Sequence, residues 1–471
     1  MLRLHDTPQA AAIDAAAHVF AVPLRTRVLI YAPLHNSAAI IDRAGLDPLR
    51  QHLAGGDISL PAALADFATL IATPPPAVPG PKSGPLIPSA LGILSTRACN
   101  LACRYCGFLP ETGQQHMPPS LARDAVNWYM DTVATHDIAH AEIHFFGGEP
   151  FCAEDVVEVA VHLGRRRATE IGCSLRFEVA TNGTFSEARC HWVADNIDTV
   201  ILSFDGTPDI HNKHRPRRDL SGSYDAVHRN ALILAEGNAA LSIRACITDE
   251  TVTKMPELAA WFCETFHPEA IGFETLQPTQ WSQAADLHPP DALAFARNFM
   301  RAAEICAEYG VQTAYAASNI SAKQVTFCPV GKDFVIIAPD GTLSACYLRR
   351  YEWEAKNMDL AFGRFDARTG AHFDLDHVAF ARSLNVHNKP LCDGCFNKWH
   401  CAGGCHVNHS LGTQPGDYDR LCVQSRLITL YNILKALDQV ALLEDVFDDA
   451  AALQRMLLQP SDRIDRVEVP L

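Results

Sequence analysis

The chain lacks any apolar run approaching the roughly 18 residues that a helix needs to cross a bilayer. Its first residues carry neither the basic start nor the apolar core of an export signal. No membrane partner is therefore expected, and the sequence predicts a protein of the cytoplasm. It is also short of positive charge: 39 Lys and Arg stand against 54 Asp and Glu, a net of −15. A nucleic-acid partner would call for a basic face, so none is expected. Aromatic residues are sparse at 8% of 471, yet 48% of positions are apolar. That is enough to fill cores over roughly three domains.

Cysteine and proline, by contrast, are plentiful, at 16 and 29. Thiols stay free in a reducing compartment, so this many cysteines point to metal rather than to disulfides. Those at 152, 173, 190, 246, 263 and 306 have no mutual spacing and read as buried core residues. The rest fall into spaced groups. Cys99-x3-Cys103-x2-Cys106 follows directly on the apolar run Leu91-Gly92-Ile93-Leu94. Three thiolates on one short loop can hold three irons of a cubane and leave the fourth open to a small chelating ligand. A zinc knuckle or a chance cluster of thiols is the plainer alternative. A second apolar strand, Ile143-His144-Phe145-Phe146, runs into Gly147-Gly148-Glu149-Pro150, where glycine lets backbone approach a ligand closely. Two further strand ends carry Thr181-Asn182-Gly183 and Ser203-Phe204-Asp205-Gly206.

The loop Arg97 to Cys106, followed about forty residues later by Gly-Gly-Glu-Pro, resembles the radical S-adenosylmethionine (SAM) superfamily over about 91–275. The resemblance implies a [4Fe-4S] cluster on Cys99, Cys103 and Cys106. It implies that the amino and carboxylate groups of SAM bind the open iron, and that one electron cleaves SAM to a 5′-deoxyadenosyl radical. Gly147, Gly148 and Glu149 would hold the SAM ammonium, with Tyr105, Asn182, Ser203, Asp205 and Arg215 as further SAM contacts. For these, ordinary turn chemistry is the alternative, because Asn-Gly and Asp-Gly pairs mark turns anywhere.

Strand-like runs near 91–95, 142–146, 175–181, 199–204, 241–247 and 270–275 alternate with helical stretches. This alternation predicts an α/β fold with parallel strands. Six such units over 90–312 fit a partial (β/α)6 TIM-like barrel with its chemistry at the carboxyl ends of the strands. Ahead of it, residues 1–73 form a small α+β region, with a hairpin at Arg27–Tyr31 and Ala38–Ile41 and helices over 45–54 and 60–72. This order is compatible with a leader-peptide recognition module, in which a peptide adds a strand to a sheet edge, or with a packing extension. The proline-rich stretch 74–89 predicts a stiff connector.

Over 313–430 lies a second cysteine system, followed by a helical tail at 431–471. Cys328 and Cys346 flank a hairpin turn at Pro339-Asp340-Gly341. Cys392-x2-Cys395-x5-Cys401-x3-Cys405 and Cys422 follow. The pattern resembles the SPASM extension over 328–422, which holds two auxiliary [4Fe-4S] clusters in radical SAM enzymes acting on peptides and proteins. It implies Cys392, Cys395, Cys401 and Cys422 at a distal cluster and Cys328, Cys346 and Cys405 at a proximal one. The missing eighth ligand leaves three options: Cys306 reaching in, a non-cysteine group, or an open iron able to take a peptide thiolate. Zinc sites and a haem attachment run at Cys401 to His406 are weaker alternatives.

Together these resemblances imply a maturase that abstracts hydrogen from a ribosomal peptide or a small protein subunit. It would install a thioether, a C–C cross-link or a related modification, with a flavodoxin- or ferredoxin-type protein as reductant. Arg244, Glu274 and Tyr347 are the positions expected to face the substrate as acid, base or anchor. The second reading is an anaerobic sulfatase maturase, which makes formylglycine. Those enzymes carry Asp after the cysteine matching Cys346, where this chain has Tyr347. An iron-sulfur electron-transfer or scaffold protein is a third reading; it accounts for the cysteines but not for Gly147-Gly148-Glu149-Pro150.

Overall fold

The computed structural model describes residues 15–75, 77–108, 116–409 and 418–467. Pro76 of the proline-rich stretch, the first residues of the N-terminal region and the last of the tail lie outside the described residues. Near the N-terminus, β1 (Phe20–Pro23), β2 (Arg27–Ala32) and β3 (Ser37–Asp42) form an antiparallel sheet in that order. Alternation along β2 gives this sheet two apolar faces. Val28 and Ile30 pack with Leu49 and Ala68 of helices Leu46–Leu53 and Ala62–Ala72. Leu29 and Tyr31 join the main core.

The expected barrel strands are present as β4 (Ala90–Thr96), β5 (His140–Gly147), β6 (Ser174–Thr181), β7 (Thr199–Ser203), β8 (Ala240–Ile247) and β9 (Ala270–Thr275). They run parallel in sequence order, with the short β10 (Gln312–Ala314) added beside β9. Helices Pro119–Thr135, Glu154–Ile171, Glu187–Asn196, Tyr224–Glu236, Met255–Phe266 and Ala292–Glu308 alternate with the strands. Ile143, Phe145, Phe177, Val179, Leu202, Ile243 and Phe273 are buried within the main core, which these helices share. Each such side chain contributes about 1.5–3 kcal/mol on burial. The residues between them in sequence, His144, Glu178, Ser203, Arg244 and Glu274, face the hollow interior and stay partly or fully exposed.

The sheet does not stop at β4. On its other edge β11 (Phe334–Ile337) pairs in parallel, Phe334 with Ala90, and β12 (Thr342–Ser344), β13 (Ala361–Asp366) and β14 (Gly370–Phe373) continue antiparallel. The hairpin around Pro339-Asp340-Gly341 thus extends the barrel sheet to eleven strands. Its Gly341 has φ +81°, a conformation that suits glycine. The proline-rich stretch lies docked against the cysteine-rich region. Arg382 donates to the Gly84 and Pro85 carbonyls, and His387 Nε2 lies 2.8 Å from the Pro79 carbonyl oxygen. No helix among the described residues is long and apolar enough to cross a membrane.

Candidate functional site

Cys99, Cys103 and Cys106 sit on the loop that leaves β4. Backbone N–H groups of Leu101 and Phe108 point at the sulfurs of Cys99 and Cys106, at 3.4 and 3.3 Å, and the Asn182 amide lies 3.7 Å from Cys99 Sγ. The loop is pinned from outside as well. Ala102 and Arg104 N–H groups donate to the carbonyls of Pro216 and His214, and Arg218 donates to that of Cys99. Burial pushes the Cys99 and Cys103 thiols up to about 12. Buried thiols of this kind become thiolates by binding metal, which releases their protons.

Gly147 and Gly148 end β5 directly against this loop. A Cβ on Gly147 would stand 2.5 Å from the Thr96 carbonyl oxygen, and one on Gly148 2.2 Å from that of Ala98. Only glycine lets the two backbones pair, with Gly148 N–H donating to Thr96 and Glu149 N–H to Ala98. The Glu149 carboxylate is buried and turned toward the end of β6. It accepts from Thr181 Oγ1 and the Asn182 N–H, both at 2.7 Å, and from the Phe151 N–H at 3.3 Å. Burial pushes it up to about 7 against the pull of these donors. It clasps the Gly147-Gly148 turn to the Asn182 turn, where Asn182, Asn100 and Thr184 form a closed set of side-chain hydrogen bonds.

Asp205, fully buried after β7, is the second hub. Tyr105, lying between Cys103 and Cys106, donates its hydroxyl to Oδ2. His214 Nδ1 and Arg215 Nε lie 3.2 and 3.1 Å from the same oxygen, and the Cys246 N–H donates to Oδ1. Burial alone would raise this carboxyl, but the Arg215 charge and the His214 hydrogen bond outweigh it and hold it well below the usual range. The Arg215 guanidinium also lies 5.3 Å over the Tyr105 ring. Tyr105, Asp205 and Arg215 are therefore bound to one another and fix the cysteine loop to the barrel.

On the inner wall, Ser203 pairs in register with Arg244, whose guanidinium is 3.7 Å from the Glu274 carboxylate. Both members are substantially exposed, so the pair contributes at most about 1 kcal/mol. Farther round, His144 lies between Glu142 and Glu178, at 2.9 and 3.3 Å; sequence patterning gave no sign of this set. Tyr347 follows Cys346 and folds back across β4. Its ring packs 4.7 Å from that of Phe146, and its hydroxyl occupies the space over Gly92, where a Cβ would stand 2.5 Å from it. A cavity of about 390 Å³ opens beside it, lined by Arg97, His116, Cys346, Tyr347 and Trp353 among others.

Cys392, Cys395, Cys401 and Cys422 line one small cavity. Cys422 arrives on helix Arg420–Ala436, whose Gln424 donates to Thr275 at the carboxyl end of β9. One turn beyond Cys422, the buried Arg426 donates to Cys395 Sγ at 3.2 Å and pairs with Asp462 at 2.6 Å. Four sulfurs around one cavity, with a buried cation to offset their charge, fit a [4Fe-4S] cluster. Cys328, Cys346 and Cys405 form the other group: Cys405 is near enough to raise both of the others, and Cys328 to raise Cys346. Cys306 takes no part. Its sulfur lies 3.8 Å from Cys263, between the helices of the outer layer. Of the six cysteines read as buried core, Cys190, Cys263 and Cys306 are buried. Cys152, Cys173 and Cys246 are partly exposed, and Cys246 is on the inner wall because it follows the alternation of β8.

Residues 93–259 match the radical SAM superfamily. The serine-type anaerobic sulfatase-maturating enzyme of Klebsiella aerogenes is 24% identical over 348 residues, which covers 66% of this chain and 78% of that protein. The AdoMet-dependent heme synthase of Nitratidesulfovibrio vulgaris is 27% identical over 186 residues, and the match covers 39% of this chain and 47% of that relative, about half its length. Among solved structures, native anSMEcpe with bound AdoMet aligns with TM-score 0.59 at 16% identity, over 75% of this chain and 99% of that one. Streptococcus suis SuiB bound to precursor peptide SuiA aligns with TM-score 0.50 at 13% identity, over 83% of this chain and 95% of that one. At these identities the structural likeness establishes the fold, a partial barrel.

Proposed function

We propose that this chain, an enzyme built on a radical SAM domain with a cysteine-rich C-terminal region that fits SPASM, modifies a ribosomally made peptide or a small protein. The observation that carries the reading is a shared cavity. Cys346 and Tyr347 of the second cysteine system line the same space as Arg97 of the first cysteine loop, and a smaller pocket joins Arg97 and Tyr347 to Gly147 and Gly148. A substrate seated there would touch both systems.

In this reading Cys99, Cys103 and Cys106 hold the SAM-binding cluster, and Gly147 and Gly148 offer backbone to SAM. When bound, SAM and its cluster supply a primary radical able to remove hydrogen from an unactivated C–H bond. The remaining work belongs to the chain's own groups. Glu149 and Asp205 hold the loops in register, and Ser203 and Asn182 stand at strand ends facing the bound ligand. Arg244, Glu274 and Tyr347 face the substrate from the inner wall. Cys392, Cys395, Cys401 and Cys422 hold a distal auxiliary cluster, and Cys328, Cys346 and Cys405 a proximal one with an open or non-cysteine position. A flavodoxin- or ferredoxin-type protein in the cytoplasm serves as reductant. The outer edge of β3 is unpaired among the described strands, in keeping with a peptide leader adding there. The product reading is a cross-link, thioether or C–C.

Formylglycine formation in a sulfatase is the second reading, favoured by the Klebsiella relative, which covers two thirds of this chain. Tyr347, packed against Phe146 and Phe334, is itself no carboxylate base, and the acidic group that acts on it is Glu178 of β6.

Iron, acid-labile sulfide and 5′-deoxyadenosine release test the proposal on anaerobically reconstituted protein. About twelve irons per chain are expected, falling to about eight in the Cys99, Cys103 and Cys106 triple-alanine variant with loss of deoxyadenosine. Four irons with bound zinc would overturn the auxiliary clusters and with them the main support for a peptide substrate.

A further inference from the structure

The segment from Cys346 to Arg350 carries two polar groups that the fold leaves unsatisfied. Among the described residues, the buried Tyr347 hydroxyl and the buried Arg349 Nη2 have no hydrogen-bond partner. Leaving such a donor unpaired costs the desolvation of that group, and native structures rarely tolerate it without a reason. Here two occur within three residues, and both side chains line the pocket that Arg97, Phe108, Gly147 and Gly148 complete.

The charges around this space do not cancel. Arg97 and Arg349 have no acidic partner among the described residues, although the chain as a whole carries −15. Arg349 meets the Tyr351 side chain, whose ring lies 5.7 Å beneath its guanidinium, and its charge acts on the Cys106 thiol. The neighbouring charges are already engaged. Arg350 is held by Glu354 and Asp359 at 2.9 and 3.0 Å. Asp340 is spent on the N–H and hydroxyl of Thr342, and His116 Nδ1 sits 3.0 Å from Thr96 Oγ1. What remains is one O–H donor and two guanidinium groups lining the smaller pocket, which shares Leu94, Arg97 and Tyr347 with the larger cavity. The space that opens from these donors past Leu94 and Ile336 suits a carboxylate on a short aliphatic stem.

We propose that Arg97, Tyr347 and Arg349 form a carboxylate-binding subsite for an Asp or Glu side chain of the substrate, beside the residue to be modified. This rests on the peptide-modification reading, and it names the substrate feature that the site selects. Arg349 and Tyr347 grip the carboxylate, Arg97 adds charge from the cysteine loop, and the grip orients the neighbouring residue toward Gly147 and Gly148.

The test titrates glutarate, with its neutral diamide as control, into reconstituted full-length protein saturated with SAM, by calorimetry. Expected is binding of glutarate but not of the diamide, weakened roughly ten-fold by Arg349→Gln and by Tyr347→Phe and largely restored in Arg349→Lys. SAM affinity, measured by equilibrium dialysis, should stay within two-fold in the same variants, and their melting temperatures show whether they fold. Absence of glutarate binding to the wild type, or binding indifferent to these substitutions in folded protein, overturns the subsite. A parallel loss of SAM affinity also overturns it, by assigning the guanidinium groups to the carboxylate of SAM itself. The wild type's iron content and deoxyadenosine release are read independently of all three failures, so the broader reading is judged separately.

Discussion

At the residue scale, the absence of a single atom at Gly148 decides whether two loops can meet. Gly148→Ala would drive a methyl group into the Ala98 carbonyl, and moving backbone to relieve it costs about 1–3 kcal/mol. A lower melting temperature and a SAM affinity reduced roughly ten-fold or more are the expected results, read by thermal denaturation and equilibrium dialysis. His211 gives a pH signature. It is fully buried, accepts the Asp205 N–H through Nδ1, and burial lowers it to about 3. The unfolded chain takes up a proton there below about 6.5, whereas the folded chain stays neutral down to about 3. Its contribution to stability is therefore intact above about pH 6.5 and is lost on acidification, by up to about 1.4 kcal/mol per pH unit. Urea denaturation at pH 7 and pH 5 should show a smaller difference for His211→Gln than for the wild type.

Individual residues also show what could be read in advance. The Cys99 triplet, Gly147-Gly148 and the Cys392 to Cys405 run were legible because residues that gather on one loop are close in sequence. Arg97, Arg349 and the His144–Glu178 pairing were not, since these groups meet their surroundings only when segments far apart in the chain are laid side by side. Tyr105, Asp205 and Arg215 were singled out by resemblance as SAM contacts, but their engagement with one another was invisible without geometry.

At the scale of elements, the six barrel strands and their helices fall within a few residues of where alternation placed them. The strands that escaped prediction are short ones without a pattern of their own. β1 has four residues and ends in Pro23. Its free edge is closed by the C-terminal segment, where Ala21 N–H donates to the Asp462 carbonyl and Ile464 N–H to that of Val19. The same segment delivers the Asp462 side chain to Arg426. Removing one partner of a buried pair strands the other charge and costs about 3–5 kcal/mol. Asp462→Ala should therefore lower the unfolding free energy by about that amount. On the proposed assignment of a distal cluster, where the guanidinium beside Cys395 is held to seat it, the same variant should also reduce iron per chain by about four. Denaturant titration and iron analysis read the two effects separately.

At the scale of the whole molecule, the cysteine-rich region is joined to the N-terminal sheet as well as to the barrel. Tyr31 of β2 meets His400 Nε2 at 2.6 Å, next to Cys401, and burial holds His400 below its ordinary range. Hydrogen-exchange protection of the Cys392 to Cys405 segment should fall in Tyr31→Phe, while β5 and β6 keep theirs. The sequence suggested separate units joined by a stiff connector. That contrast has a physical cause: composition reports which residues can form a core, whereas partners across a shared core are set by tertiary packing.

The pairing of β11 with β4 has a consequence for biosynthesis. While the chain is made, the first barrel strand leaves the ribosome with one edge bare, and its natural neighbour follows only after the whole barrel has been translated. At roughly 5–20 residues per second that interval lasts on the order of ten to fifty seconds. Throughout it the bare edge is a template for stray strands, and the nearby thiols are open to oxygen. The nascent protein is thus most vulnerable before it can bind anything, and yields in the cell should depend on chaperones and low oxygen during synthesis more than on the stability of the finished fold.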